Sequence, residues 1–542
     1  MFNVGTRNVY SIRTPMPYPK ISPQQIEQKL QKRFLKDGHL SLANLPKPSE
    51  FKDMDRAIVR IVKAIHTDEK IILIGDYDVD GITSTTLMKM FFREIGVDLE
   101  WIIPNRFRDG YGLSPNLVPQ IEGYDLVITV DNGIAAVEAA RLCRKMSIDL
   151  IITDHHIVPA VTPDAYAIVD QKQENCPFPY EEVCGAQIAW YLIAALNKAI
   201  NANVDIKSYL GLVSIAIIAD MMPLQHINRA MVKAGLQLLN RSELPAIKAF
   251  MEKLDKGALS ADDIGFQIAP VLNSAGRMDD AKWSVEFLLS SNIYDARVRL
   301  DRLKDFNEER KAIEQKITDE ALQEVDLNDE VIVVTGEDWH EGVVGIVAAR
   351  VGRRFEKPCI VLAKGKNGQL KGSGRSFHIC NLFKITSACR PLLNKFGGHE
   401  SAIGLSLDVN NLEAFKEQIQ KEYRRENYEE QKVDPDILGE LSFSHIDFTL
   451  VNMLKLFEPY GQGNPRVKFI SKNVIIEDVN DMGKEKEHRR FSFSQNGVTQ
   501  QAVLFKTKEV FHIGQVVSVV YGINENHFNN RVTLQLMVEK IF

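Results

Sequence analysis

The stretch Ile71-Ile72-Leu73-Ile74-Gly75-Asp76-Tyr77-Asp78-Val79-Asp80-Gly81 is an apolar run that breaks at once into three carboxylates at alternate positions. Four aliphatic residues closed by a glycine read as a buried strand. Alternate residues of an extended chain point to the same side, so Asp76, Asp78 and Asp80 are expected to crowd like charges together unless a divalent cation neutralises them. Oxygen ligands of this kind suit magnesium or manganese.

The pattern recurs downstream. Leu126 to Val130 runs into Asp131-Asn132-Gly133, Leu150 to Thr153 runs into Asp154-His155-His156, and Ile215 to Ala219 runs into Asp220. The first three runs read as parallel strands separated by helices over 84–94 and 134–146, which lines up their carboxyl ends along one edge. Open α/β sheets bind ligands at that edge. The fourth run sits better on a helix that aims Asp220 inward. Taken singly, an Asp after a strand is a turn residue or a helix cap. Four such endings in the same topological place argue for a shared site instead.

Composition describes a large globular protein. The chain has 542 residues, 45% hydrophobic and 25% charged, enough for three or four domains with cores of their own. No apolar stretch reaches the ~20 residues that span a bilayer, and the opening residues lack the apolar core of a secretory signal, so no membrane association is expected. Six scattered cysteines without a metal or disulfide spacing point to a reducing cytoplasm. The formal net charge of −6 excludes a uniformly basic nucleic-acid binder. Even so, Arg350, Arg353, Arg354, Lys364, Lys366, Lys371 and Arg375 fall in one segment that can attract phosphates locally.

The chain divides into five parts. A proline-bearing arm (1–50, with Pro15, Pro17, Pro19 and Pro23) is expected to lie over an α/β domain at 51–225. Amphipathic helices follow over 226–328, first at 230–254 and 283–300. A long connector helix comes next, with Leu300, Leu303, Phe306, Ile313 and Ile317 on one stripe. A smaller α/β unit covers 329–428, with a strand at 331–334, a helix at 343–355 and a strand at 359–363. Its glycine-rich turns, 371–376 and 396–404, let backbone amides approach an anion, and Arg375 and His399 add donors. Past the charged link 423–430, the period-two run Val532, Leu534, Leu536 and Val538 announces a small β-barrel over 429–542. Its Phe491 and Phe493, beside Arg489 and Arg490, suit either stacking on bases or a place in the core.

Together, Gly75 to Gly81, Val130 to Gly133, Asp154 to His156 and Gly397-Gly398-His399 resemble the DHH phosphoesterase superfamily with its DHH-associated second domain. The segments 103–113, 273–278, 373–376 and 457–465 are similar to its single-strand-specific exonucleases. The resemblance implies an α/β fold: a parallel-sheet DHH domain, a long connecting helix, a smaller α/β DHH-associated domain and a C-terminal OB-fold-like barrel. It implies that Asp78, Asp80, Asp131, His155 and Asp220 hold two ions, Mn2+ or Mg2+, with Asp76 beside them and His156 on the scissile phosphate. Asp131 is assigned as the bridge, because a carboxylate spans two ions and an imidazole does not. Arg106, Tyr111, Arg277, Ser373, Arg375, Ser376 and His399 are the implied substrate contacts. One departure stands out: many shorter members carry a metal-binding His four residues before the first motif aspartate, where this chain has Ile74.

The implied activity is 5′-to-3′ hydrolysis of single-stranded DNA to mononucleotides in repair and recombination, by a monomer with a single-strand-binding protein and a helicase as partners. The alternative within the superfamily is a phosphodiesterase for short oligonucleotides or cyclic dinucleotides, whose simpler members lack the barrel. A non-enzymatic scaffold would have lost motif carboxylates, and Asp78, Asp80, Asp131 and Asp220 are all present.

Overall fold

In the computed structural model, the apolar run at the head of the acidic stretch is a four-residue strand, β1 (Ile71–Ile74), buried along its whole length. The structure describes residues 18–34, 41–365, 368–377, 379–426, 428, 434, 436–483, 485–507, 509–528 and 531–542. Pro15, Pro17, Lys366, Asn427, Glu429 and Glu430 lie outside them.

Around β1 stand β2 (Glu100–Ile102), β3 (Leu126–Val130), β4 (Asp149–Thr153) and β5 (Ala167–Val169), in the order β2-β1-β3-β4-β5. All four pairings are parallel, so every carboxyl end opens on the same edge. Val127, Leu150 and Ile152 join Ile72 and Ile74 on one face, packed on Ala139, Ala140 and Cys143 of the helix Val137–Lys145. Each fully buried aliphatic side chain there contributes about 1.5–3 kcal/mol. The helices Val79–Glu94 and Gly185–Ala199 pack on each other, and the second also contacts β3 and β4. The short edge strands β2 and β5 have no counterpart in the sequence reading.

The extended alternation expected of the three acids is absent. Asp76, Asp78 and Asp80 do not share one side of an extended chain, because β1 ends at Ile74 and the helix begins at Val79. Asp78 is the N-cap of that helix, its Oδ1 accepting from the N–H groups of Asp80 (2.9 Å) and Gly81 (3.2 Å). Capping satisfies otherwise orphaned helix amides and outweighs continued extension. Asp76 and Asp78 thereby come together with Asp131, while Asp80 joins His155 and Asp220.

The long helix runs Ile293–Gln323, about 46 Å at 1.5 Å per residue, capped by Asn292. It is separate from the helix Lys282–Leu288, so the helical stretch expected over 283–300 is broken at 289–292. Leu300, Leu303 and Ile317 are buried as expected, whereas Phe306 and Ile313 are half-buried and Asn307 and Glu314 take buried places. Glu314 lies fully buried between the guanidinium groups of Arg310 and Arg350, which ties the long helix to the helix Val344–Phe355.

The smaller sheet contains β6 (Ile332–Glu337), β7 (Cys359–Lys364), β8 (Gln369–Arg375), β9 (Lys395–His399) and β10 (Ala402–Asp408), in the order β6-β7-β8-β10-β9. The glycine-rich segments expected as anion-cradling turns are strands: β8 pairs on both sides with β7 and β10, and β9 pairs with β10. Ladder hydrogen bonds on both sides engage the β8 amides, so anion recognition there falls to side chains. A Cβ on Gly372 would lie 1.9 Å from the Val361 carbonyl oxygen, so close strand approach explains that glycine.

Residues 45–222 with 231–431 form one compact unit, and 1–44 with 223–230 and 432–542 a second. In the second, β11 (Ile437–Glu440) adjoins a barrel of β12 (Lys468–Met482), β13 (His488–Gln495), β14 (Val498–Leu504), β15 (Val516–Phe528) and β16 (Arg531–Ile541), closed by the β12–β15 pairing. Phe491 and Phe493 are buried in its core, stacked at 4.8 Å, which rules out base stacking for both. The expected arm is divided: residues 45–50 belong to the first unit, where the turn Pro48–Glu50 packs on the helices Met54–His66 and Gly185–Ala199, and the described residues 18–34 belong to the second. Ile21, Ile26, Leu30 and Phe34 enter the same core as Leu441, Phe469 and Tyr521, and the Ile21 N–H donates to the Glu440 carbonyl.

Candidate metal centre

The carboxyl ends of β1, β3 and β4 deliver their acidic and imidazole groups to one buried pocket, and the helix Leu210–Ala219 adds Asp220 as its C-cap. Three overlapping clusters result, each with ligand atoms within 4.8 Å of one another: Asp76, Asp78 and Asp131; Asp80, His155 and Asp220; and Asp131, His155 and His156. Nε2 of His155 stands 3.1 Å from Asp131 Oδ1, 3.6 Å from Asp80 Oδ2 and 3.7 Å from Asp220 Oδ2. Asp131 adopts the left-handed conformation at φ 61, a strained backbone for a residue with a side chain.

The electrostatics leave this pocket incomplete as protein alone. Burial and the neighbouring carboxylates push Asp76, Asp131 and Asp220 well above the usual acid range, and burial with Asp78 raises Asp80 to about 6. Burial, helped by the charge of His156, lowers His155 to about 3, so its imidazole is neutral and free to ligate. Asp76 Oδ1, Asp131 Oδ1 and Asp220 Oδ2 are buried and accept no hydrogen bond. Orphaned oxygens of this kind mark a missing partner. An oxygen-rich set with one neutral imidazole fits manganese or magnesium. Ile74 is buried and apolar, and Asp76 stands in a cluster with Asp78 and Asp131.

Several neighbours orient these groups. Asp154 is no member of the clusters: its Oδ1 accepts from the His155 N–H (2.7 Å) and pairs with His156 Nδ1 (2.7 Å), and its Oδ2 accepts from the Ile134 N–H (2.8 Å). Burial alone would lower His156, but the bond and charge of Asp154, with Asp76 and Asp78 nearby, lift it to about 9. Its Nε2 lies 3.3 Å from the Tyr111 hydroxyl. Asp80 accepts from the N–H groups of Gly185 (2.5 Å) and Ala186 (2.8 Å) at the start of the helix Gly185–Ala199, where the dipole favours an anion. Asn132 donates to the Ile74 and Val130 carbonyls and accepts from the Leu113 N–H, tying β1, β3 and the Tyr111 loop together. The sequence named His156, Tyr111 and Asp80 but gave no role to Asp154, Asn132, Gly185 or Ala186; Gly185, opening an apolar helix after Cys184, was the available signal.

A second focus is cationic. Arg277, near the end of the helix Ala269–Met278, has a depressed pKa of about 10, through burial first and then the charges of Arg106, Arg310 and Arg375. Gly276 permits this approach, since a Cβ there would lie 2.5 Å from the Tyr77 carbonyl oxygen. Arg106 stacks on the Tyr77 ring at 4.2 Å, and its buried Nε has no hydrogen-bond partner. Arg375 Nη1 donates to Ser373 Oγ (2.6 Å) and the Gly374 carbonyl (2.8 Å), beside Gly345 in the first turn of the helix Val344–Phe355. Like charges gathered beside a helix N-terminus favour an anion between them. His399 ends β9, with burial and Arg375 lowering its pKa. The Ser376 hydroxyl donates to the Cys380 carbonyl. Of the expected basic run, Arg350, Lys364 and Lys371 pair with Glu314, Glu337 and Glu341, and Arg375 lies at this focus.

The chain matches the DHH family N-terminal domain over residues 70–217, the DHHA1 domain over 328–425 and the RecJ OB domain over 437–540. It is 34% identical over 514 residues to the single-stranded-DNA-specific exonuclease RecJ of Bacillus subtilis (strain 168), covering 92% of this chain and 65% of that relative. Against the protein of that name from Salmonella typhimurium it is 34% identical over 462 residues, 79% of each chain. Among solved structures, RecJ from Thermus thermophilus in complex with Mn2+ has the same fold (TM-score 0.81, 24% identity, 98% of this chain and 80% of that one). An exonuclease RecJ bound to manganese is 29% identical (TM-score 0.60, 69% of this chain and 95% of that one).

Proposed function

The chain belongs to the RecJ family of single-stranded-DNA-specific exonucleases, and from that premise we propose that it removes mononucleotides from the 5′ end of single-stranded DNA by metal-assisted hydrolysis. The observation that carries the reading is the buried pocket in which Asp131 and His155 are each shared between clusters while three carboxylate oxygens go without partners. Manganese, the ion named for a 29% identical relative, suits these donors, as does magnesium. Bound there, two such ions would supply an acidified water and neutralise charge on the departing oxygen.

The chain's own groups divide the remaining work. Asp76, Asp78 and Asp131 would hold one ion and Asp80, His155 and Asp220 the other, with Asp131, 3.1 Å from His155, adjoining both sets. His156, protonated and braced by Asp154, donates from Nε2 to an oxygen of the scissile phosphate. Arg106, Arg277 and Arg375 grip the terminal 5′ phosphate, with Ser373 and Ser376 behind Arg375 and with Tyr111 and His399 at the rim. Such contacts position a strand without reading its sequence. The barrel supplies a further surface for the incoming strand. A single-strand-binding protein and a helicase are the partners that go with this reading, in repair and recombination, and the chain acts as a monomer. The five-part domain division read from the sequence goes with it.

The test is a single strand labelled at its 5′ or its 3′ end, incubated with and without manganese. With the ion, the 5′ label leaves at once as a mononucleotide while the 3′ label stays on shortening strands. Early release of the 3′ label, or equal attack on duplex DNA, contradicts the reading.

A further inference from the structure

The loop after β2 is wound tightly around its own polar groups. Asn105 Oδ1 accepts from the N–H groups of Phe107 (3.0 Å) and Arg108 (3.3 Å), and Asn105 Nδ2 donates to the Asp279 carbonyl (2.9 Å). The Asp109 carboxylate accepts from the Asn105 N–H (2.9 Å) and takes two bonds from the Arg108 guanidinium (2.8 and 2.9 Å). This built loop presents a phenyl ring to solvent, with 47% of Phe107 exposed. A rigid loop that spends its hydrogen bonds on holding an aromatic ring outside the core calls for a ligand for that ring.

Its ring neighbour is His340, from the loop between β6 and the helix Val344–Phe355, at 5.5 Å between centroids and 77° between planes. His340 is itself fixed. Nδ1 accepts from the Gly342 N–H (3.1 Å), which leaves the proton of the neutral ring on Nε2, and the Gly342 carbonyl accepts from Arg277 Nη1 (3.0 Å). Phe107 directly follows Arg106, another member of the cationic focus. Phe107 therefore hangs on the backbone segment that carries Arg106, and His340 on the loop whose Gly342 carbonyl anchors the Arg277 guanidinium, two of the groups assigned to the terminal phosphate.

We propose that Phe107, with His340 at its edge, is the stacking platform for the nucleobase of the 5′-terminal nucleotide. This rests on the exonuclease reading and adds a recognition element to it. Arg106 and Arg277 hold the phosphate, and the base carried on the same sugar lies over the Phe107 ring. Every nucleobase has a π-face, so such a platform engages the end without sequence preference, and an end lacking its base is held less well. The pair also bridges the DHH and DHH-associated parts of one compact unit, so an occupied platform fastens the terminal nucleotide to both.

The test uses the full chain in EDTA, which stops hydrolysis, and two 5′-phosphorylated strands that differ only in whether the first nucleotide carries its base. Fluorescence anisotropy should show the wild-type protein binding the intact strand roughly ten-fold tighter, the order of one lost stack. F107A should bring the two affinities together by weakening only the intact strand, and F107W should restore the difference. A merely structural Phe107 would weaken both strands equally, and that result overturns the platform. The exonuclease reading is judged separately, by whether wild-type protein with manganese shortens the intact strand. A flat F107A comparison on a strand that is shortened sinks the platform alone.

Discussion

Asp131 is the residue at which backbone strain, like-charge crowding and ligand sharing meet. Its side chain belongs to two of the three clusters and its φ of 61 holds it there. Replacing it with alanine is expected to abolish manganese-dependent hydrolysis while leaving the circular dichroism of the protein unchanged. Replacing it with asparagine removes one of several buried like charges, so D131N should melt a few degrees above wild type in EDTA, roughly what 1–2 kcal/mol yields in a large chain. A lower melting temperature in EDTA would contradict the crowding. Asp170, at the end of β5, gives a separate test: burial raises its pKa to about 7, and its Oδ2 has no partner. A carboxyl raised on folding stabilises the folded state fully below its unfolded pKa, and that contribution is lost as pH rises through about 7. D170N should therefore leave the stability nearly unchanged at pH 4 and raise it at pH 8, by at most about 4 kcal/mol. Equal effects at both pH values would refute the assignment. Asp131 and His155 were legible because an acid or imidazole after each apolar run is a repeated signal. Asp154 was not assigned its bracing role, because nothing in Asp-His-His says which member turns away from the pocket.

At the scale of elements, helix starts decide how the acids are dealt out. The alternation of Asp76, Asp78 and Asp80 reads as extended chain, yet Asp78 gains more by capping a helix, and Asp80 then meets the N-terminus of the helix Gly185–Ala199. That junction has no spare room: a Cβ on Gly185 would lie 2.6 Å from Asp131 Cβ. G185A should lower kcat about a hundred-fold and destabilise the fold by about 1–3 kcal/mol, since the added Cβ overpacks the junction and shifts of an ångström at reacting groups carry such costs. Wild-type turnover would show that the junction yields freely. The glycines of β8 and β9 were misread as turns because glycine marks close backbone approach as readily as a bend. With the amides of β8 engaged in the sheet, Arg375 is left to recognise phosphate, and R375A should make the salt dependence of strand binding shallower by about 0.7 in log–log slope. An unchanged slope would remove Arg375 from the phosphate contacts.

At the scale of the molecule, the parallel sheet, the second α/β sheet and the barrel were all legible from periodicity and from the superfamily resemblance. The destination of the arm was not. Ile21, Ile26, Leu30 and Phe34 state that a face must be covered without stating by what, and the covering surface, the barrel, begins about 400 residues later in the chain. This bears on truncation. A shortened chain should omit the arm together with the barrel, because removing 432–542 alone strips those four side chains of their partners. The chain 45–431 is expected to hydrolyse very short oligonucleotides at near wild-type rates while losing affinity for long strands. Equal losses on both would contradict the strand-binding role of the barrel. All of this depends on the pocket in which β1, β3, β4 and the helix Leu210–Ala219 converge. The most direct measurement is anomalous scattering at the manganese edge from crystals soaked in that ion. The prediction is two peaks, one among Asp76, Asp78 and Asp131 and one among Asp80, His155 and Asp220; no peak within this pocket would contradict it.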